Sequence, residues 1–381
     1  MNILYITSRA IEINASSSIR NIATIEGLIG IGHQVTVCSM KPDCTGKYYD
    51  KRIEKLDIER IYFDSIIKTA AKTANRFNIF QTRLYKIIRR KRLYDSSRQI
   101  INHVDDMDIS KYDLMISSSD PKTSHLFAER LSEKSKKKIK WIQIWGDPFA
   151  SDMTISGSKS FMKRVKTEEH RLLSKSDSII YVSEATLEEQ KDNYPDCADK
   201  MRYLPIPYMK RNCQYKEENS CKKIVKIAYC GDYLSHIRNI VPLYDAIKGL
   251  DGYEIRICGD SDIKLEATDN ILISGRIPYQ EVCEIEDSSD ILVVICNLFG
   301  TQIPGKIYQY SGTDKPILFI LDGKKEIIKK QFQKYERYDF CNNDSNEIRN
   351  KLREIKRMKK CYGPVNVFES KVIAKKILDF S

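Results

Sequence analysis

The sequence predicts an α/β protein built as two Rossmann-like domains, and three observations predict it. Short β-branched runs alternate with helical stretches from the first residues onward, the pattern of parallel sheets with crossover helices. The alternation breaks once, over a polar stretch without periodicity, and then restarts. The chain of 381 residues, 41% of them apolar, is long enough for two domains with separate cores.

Composition excludes several classes. No apolar run reaches the roughly eighteen residues a membrane span needs. The first strand begins almost at Met1, with neither a basic flank nor a small-residue cleavage site, which argues against a signal peptide and for a cytoplasmic protein. The eleven cysteines lack a close CxxC pair or a histidine spacing, so neither a disulfide framework nor a zinc site is predicted. The formal charge is +12, and residues 61–100 hold ten lysines and arginines against two aspartates.

In chain order, residues 3–7 form a buried strand and residues 8–15 a loop. Ser16, Ser17 and Ser18 are cap candidates for a helix that ends near Gly30 and Gly32, and residues 33–39 make the next strand. No GxGxxG follows the first strand, so no nicotinamide cofactor is expected. Arg20, early in that helix, suits an anion or plain solvent. Residues 66–98 read as helical, with Phe77, Phe80, Leu84, Ile87 and Ile88 apolar and Arg89, Arg90, Lys91 and Arg92 around them. Such a segment fits either an anionic membrane surface or a solvated domain helix. No nucleic-acid module accompanies the charge.

The next strands, residues 112–118 and 139–145, end in Asp120 and in Gly146, Asp147 and Pro148. Both acids therefore fall at the edge where open α/β sheets bind ligands, with Asp152 a weaker candidate. Asp147 reads either as a substrate-positioning carboxylate or as an Asx-turn. A helix at 158–174 carries Glu168, Glu169 and His170 without HExxH spacing, so structural roles are expected for them. A strand at 178–183 follows, and Ser183 caps the next helix. The first domain then runs to residue 207, a linker covers 208–221, and the second domain spans 222–365.

The second domain repeats the pattern: strand 226–230, Gly231, a loop, Arg238 before helix 239–249, then strands 253–258 and 271–274 and helix 279–287. The apolar run 290–296 leads to a loop closed by Pro304 and Gly305, a short helix at 306–310, and strand 317–321. This order puts backbone N–H groups and Lys306 at a carboxyl edge suited to phosphate. Two amphipathic helices, 347–360 and 367–380, finish the chain.

These segments resemble family 4 and related glycosyltransferases of the B-type fold. The match rests on Gly305, Lys306, Tyr310 and the run Lys315, Pro316, Ile317 and Leu318. It also rests on the GHxVTV-like passage ending at Val37, on GDPF at 146–149, on Asp177, Ile179, Ile180 and Ser183, and on Gly231 with Arg238. The resemblance implies two domains facing a central cleft, with the final helix, residues 366–381, packing back on the first domain. It implies transfer of a sugar, with retention of configuration, from a UDP- or GDP-linked donor to a glycan or lipid-linked acceptor in surface-polysaccharide synthesis such as capsule or lipopolysaccharide, at the inner face of a membrane. Asp147, Arg238 and Lys306 become the catalytic candidates. Gly231, Arg238, Ile303, Gly305, Lys306 and Gln309 become the donor contacts, with no metal and no other cofactor. The family's paired glutamates fall on Thr301 and Gln309, and neither is acidic. A catalytically degenerate scaffold and a UDP-N-acetylglucosamine 2-epimerase-like enzyme are the alternatives.

Overall fold

The computed structural model describes residues 1–65, 92–152, 155, 157–209, 224–358 and 362–381. Most of the basic helical segment predicted at 66–98 and most of the linker predicted at 208–221 lie outside the described residues. The chain divides into two compact units, one of Met1–Leu204 with Ala374–Ser381 and one of Pro205–Ile373.

The first unit is a seven-stranded, all-parallel sheet in the order β3-β2-β1-β4-β5-β6-β7. Its strands are β1 (Asn2–Ile6), β2 (Gln34–Met40), β3 (Glu59–Phe63), β4 (Leu114–Ser118), β5 (Lys140–Trp145), β6 (Ser178–Tyr181) and β7 (Met201–Tyr203). Four helices cross between them: α1 (Ser16–Gly30), α2 (Thr123–Lys134), α3 (Lys159–Lys175) and α4 (Glu184–Asn193). A parallel sheet covered by helices needs apolar side chains on both faces, which is why β1 and β4 read as continuous buried runs. Leu4, Ile6 and Met115 pack with Phe127 and Leu131 of α2, and Trp145, Ile179 and Tyr181 pack with Val165 and Leu172 of α3. Ser183 caps α4 through Thr186 N, as its sequence position predicted. At α1 the cap position is Ala15, without a side-chain bond, so the serines beside it do not serve as caps.

The second unit is a six-stranded parallel sheet in the order β10-β9-β8-β11-β12-β13. The strands are β8 (Val225–Cys230), β9 (Tyr253–Cys258), β10 (Ile271–Ser274), β11 (Ile291–Ile295), β12 (Ile317–Leu321) and β13 (Asp339–Asn342). The helices are α5 (Val241–Ile247), α6 (Tyr279–Ser288), α7 (Lys306–Tyr310), α8 (Lys325–Gln333) and α9 (Ser345–Met358), and α10 (Ser370–Leu378) starts in this unit and ends in the first. Every residue of β11 and β12 is buried, and Val293 and Leu318 meet Leu243 of α5 and Ile348 and Leu352 of α9 in one core. Counted within each unit, both sheets follow the strand order 3-2-1-4-5-6, so both carry a topological switch point beside their first strand.

The division falls between Leu204 and Pro205 and again between Ile373 and Ala374. Local bonds accompany it. Tyr208 N donates to Phe368 O at 3.1 Å and Ser370 Oγ donates to Tyr208 O at 2.6 Å, tying both segments into the second unit. Only the chain end joins the first unit, where Ser178 Oγ donates to Phe380 O at 2.8 Å.

Gly259 ends β9 at φ +156°, and a Cβ there would stand 2.1 Å from Gly231 O. Replacing it by alanine should therefore destabilise the second unit by about 1–3 kcal/mol, the cost of one strained backbone position. Gly275→Ala, with nothing within 4 Å of the new Cβ, should be near neutral. Denaturant midpoints of the two variants check the pair, and equal midpoints would contradict it.

Candidate active site

Parallel strands leave their ligand crevice at the carboxyl edge, beside the switch point. In the second unit that edge is the loop after β8, residues 231–238, and the loop after β11, residues 296–305. Arg238 spans the two: its Nη1 donates to Asp232 O at 2.8 Å and its Nε to Asn297 Oδ1 at 3.0 Å. Leu298 N, donating to Ile237 O at 2.8 Å, ties the loops again. Both acceptors of Arg238 are neutral, and among the described residues no carboxylate pairs with it. The carboxylate of Asp232, whose backbone oxygen Arg238 bonds, accepts instead from Arg276 Nη2 at 2.6 Å and from Asp260 N at 2.9 Å. A partly buried guanidinium with unmatched charge favours an anion.

The other predicted donor residues divide. Lys306 Nζ lies 2.5 Å from Oε1 of the fully buried Glu286 on α6, and Tyr310 OH donates to the same oxygen at 2.8 Å. Its charge is thus already matched inside the chain. Gln309, 4% exposed, spends both ends of its amide on backbone: Nε2 donates to Pro207 O at 2.9 Å and Oε1 accepts from Met209 N at 3.1 Å. Thr301 is buried in the β11 loop. The amides of Ile303 and Gly305 donate to no group among the described residues. At Gly231 a Cβ would come no closer than 3.8 Å to any atom, so packing within the chain does not require glycine there. Glu286 was missed because its sequence position, twenty residues before Lys306, carries no motif; a lone acid inside the apolar face of a helix was the available signal.

In the first unit Asp147 follows β5, half-buried, and its carboxyl makes no hydrogen bond to the described residues. Burial, and then the charge of Asp120, push its pKa up to about 7. Lys122 sits between Asp120 and Asp152, with Nζ 2.5 Å from Asp152 Oδ2 and bonded to Asp120 Oδ1. Burial opposes the Lys122 charge, and Asp120, Asp152 and Asp147 together outweigh it. The turn after Asp147 is held by Glu169, which accepts from Phe149 N at 2.5 Å and Ala150 N at 3.0 Å. That structural role for Glu169 agrees with the sequence expectation.

The expectation that no metal is involved needs correcting. His170 Nε2, an Asp196 oxygen and Cys197 Sγ lie within 4.8 Å of one another, offering nitrogen, oxygen and sulfur donors in one place. His170 and Asp196 are 2.7 Å apart. The donors come from α3 and from a 3₁₀ turn, Pro195–Lys200, that packing brings together, so no short sequence spacing revealed them. The turn feeds the amino end of β7, which sets this cluster toward the sheet edge opposite Asp147.

No family model matches the sequence, and no curated protein matches it. Solved structures do. A glycosyltransferase from Rickettsia africae ESF-5 aligns with 99% of this chain and 97% of its own at 14% identity, with a TM-score of 0.60. The apo form of the lipopolysaccharide outer core galactosyltransferase WaaB aligns over 100% and 99% at 12% identity and TM-score 0.56. Anabaena Alr3699/HepE, solved with UDP and glucose, aligns over 100% and 95% at 10% identity and TM-score 0.59. The chain therefore has the two-domain, B-type glycosyltransferase fold over its whole length. No helix among the described residues is long and apolar enough to cross a membrane.

The raised Asp147 pKa has a sign that can be checked. An acid harder to ionise when folded weakens the fold as pH rises from its usual 3.8 through about 7. Asp147→Asn should thus be close to the parent below pH 4 and more stable at pH 8, by up to about 4 kcal/mol at 1.36 kcal/mol per unit. Melting temperatures across pH 4–8 measure this; parallel curves would contradict it.

Proposed function

We propose that this chain is a glycosyltransferase: its second unit binds a nucleoside diphosphate sugar, and the sugar passes to a glycan or lipid-linked acceptor. The observation that carries the reading is Arg238, a cation without a carboxylate partner, held across the switch point of a parallel sheet. The fold shared with known glycosyltransferases supports it, one of them solved with UDP and glucose. When the bond to the anomeric carbon breaks, negative charge grows on the departing diphosphate. Fixed donors placed there beforehand lower the barrier without having to reorganise. Arg238 supplies the charge, and the amides of Ile303 and Gly305 add donors. Gly231 leaves room for the diphosphate to approach. Lys306, matched by Glu286, fixes the start of α7 and contributes a weaker field.

Asp147 is proposed to position the acceptor hydroxyl or donor sugar. A carboxyl that titrates near neutrality can both accept and return a proton at working pH. Retention of configuration and a place in surface-polysaccharide synthesis belong to the proposal. One observation favours the scaffold alternative: Gln309 has both amide groups engaged by backbone, so the ribose contact that the family makes there lacks its usual partner. A panel of UDP- and GDP-sugars, assayed for nucleoside diphosphate release, separates an active enzyme from a scaffold.

Removing a charged hydrogen bond costs about 1.5–3 kcal/mol. Arg238→Ala should therefore weaken nucleoside diphosphate binding roughly 10- to 150-fold, while Lys306→Ala weakens it less. Calorimetric titration of both variants tests the ranking. An Arg238→Ala variant with parental affinity would move the diphosphate elsewhere.

A further inference from the structure

The first unit holds a second arginine at the equivalent place. Arg20 rises from α1, 5% exposed, and its Nη2 donates to Ser118 Oγ at the end of β4 at 3.3 Å. It thereby crosses the switch point between β1 and β4 as Arg238 crosses the one between β8 and β11. A guanidinium has five N–H donors, and this one makes a single long hydrogen bond to the described residues. Its Nε is buried with no partner. Burying a charged donor without satisfying it is costly, so a structural arginine would have spent more of its donors on the chain.

The neighbourhood is shaped around the unspent side. Gly146, which ends β5, lies so close that a Cβ on it would stand 2.2 Å from Arg20 Nη1. Any side chain at 146 would push the guanidinium from this position, so glycine leaves it in place. The next amide, that of Asp147, donates to nothing among the described residues. A guanidinium and a backbone N–H, both unspent at the carboxyl edge of a parallel sheet, are the donor set of an oxyanion site.

We infer that the first unit carries its own oxyanion site at Arg20 and the Asp147 amide, and that it recognises a phosphate or carboxylate group on the molecule that receives the sugar. The assignment to the acceptor rests on the glycosyltransferase reading; the anion site itself does not. Charge balance adds a coupling. The groups facing Asp147 are Arg20, Lys122, Asp120 and Asp152. With Lys122 shared by two aspartates, an ionised Asp147 leaves an excess of one negative charge in this group, and a protonated Asp147 leaves none. An oxyanion arriving at Arg20 therefore brings a proton to the Asp147 carboxyl, and binding tightens as pH falls from 8 to 6.

Three probes test this with the full chain: glucose 1-phosphate, glucuronate and, as the neutral control, glucose. Titrations of the parent at pH 6 and pH 8 should show binding of glucose 1-phosphate or glucuronate, tighter at pH 6, and none of glucose. Which probe binds tells a phosphate acceptor from a carboxylate one. Arg20→Gln should lower that affinity at least about tenfold, the loss of one charged hydrogen bond. Gly146→Ala should reproduce the loss by displacing the guanidinium while keeping its charge. Asp147→Asn should remove most of the difference between the two pH values for glucuronate, whose own carboxylate stays ionised throughout. Arg238→Ala should keep the affinity. Parental affinity in folded Arg20→Gln and Gly146→Ala, or no binding of either anion to the parent, overturns the inference. Loss in Arg238→Ala alone would also overturn it, by placing the anion in the second unit, yet would leave the glycosyltransferase reading standing.

Discussion

An all-parallel sheet cannot close its own carboxyl edge. Where the strand order reverses beside the first strand, neighbouring loops part in opposite directions and a crevice is left. This chain builds that arrangement twice, and the placement of its polar groups follows from it. The inner strands β1, β4, β11 and β12 are buried along almost their whole length and carry no charged side chain, so the charges beside them collect at the loop edge. Arg238 and Arg20 are each anchored from the loop or helix after the first strand of a sheet to the end of the fourth, at Asn297 and Ser118.

Charge accounting then separates groups that look alike in sequence. Lys306, Lys122 and Arg276 each meet a carboxylate within the chain, at Glu286, Asp152 and Asp232. Arg238 and Arg20 bond only neutral acceptors among the described residues. A cation bonded to a carboxylate gains little from a further anion, whereas one whose donors are not spent on a carboxylate gains more. Proximity to a glycine-containing loop is therefore a poorer guide to a phosphate contact than the absence of a bonded acid.

The fold was legible because its signal is local. Buried runs such as residues 291–295 and 317–321 are too apolar and β-branched to be anything but inner strands, and Ser183 announces the helix it caps. The edge strands β3 and β13 escaped notice, since residues 59–63 and 339–342 are short, mixed in polarity and made strands only by a neighbour. Candidate site positions were legible where a strand end and a turn coincide, as at Asp147 and Arg238. Partners were not legible. That Glu286 meets Lys306, that Pro207 and Met209 engage Gln309, and that His170 meets Asp196 and Cys197 are products of packing between segments twenty to a hundred residues apart, which no local pattern records.

The central claim, that a nucleoside diphosphate sugar is held at the switch point of the second unit, is tested most directly by amide hydrogen exchange of the parent chain with and without UDP or GDP. The account predicts slowed exchange in the loops at 231–238 and 296–306, where the unspent amides of Ile303 and Gly305 lie. Exchange unchanged in both loops under saturating nucleotide, or protection confined to other segments, would contradict it.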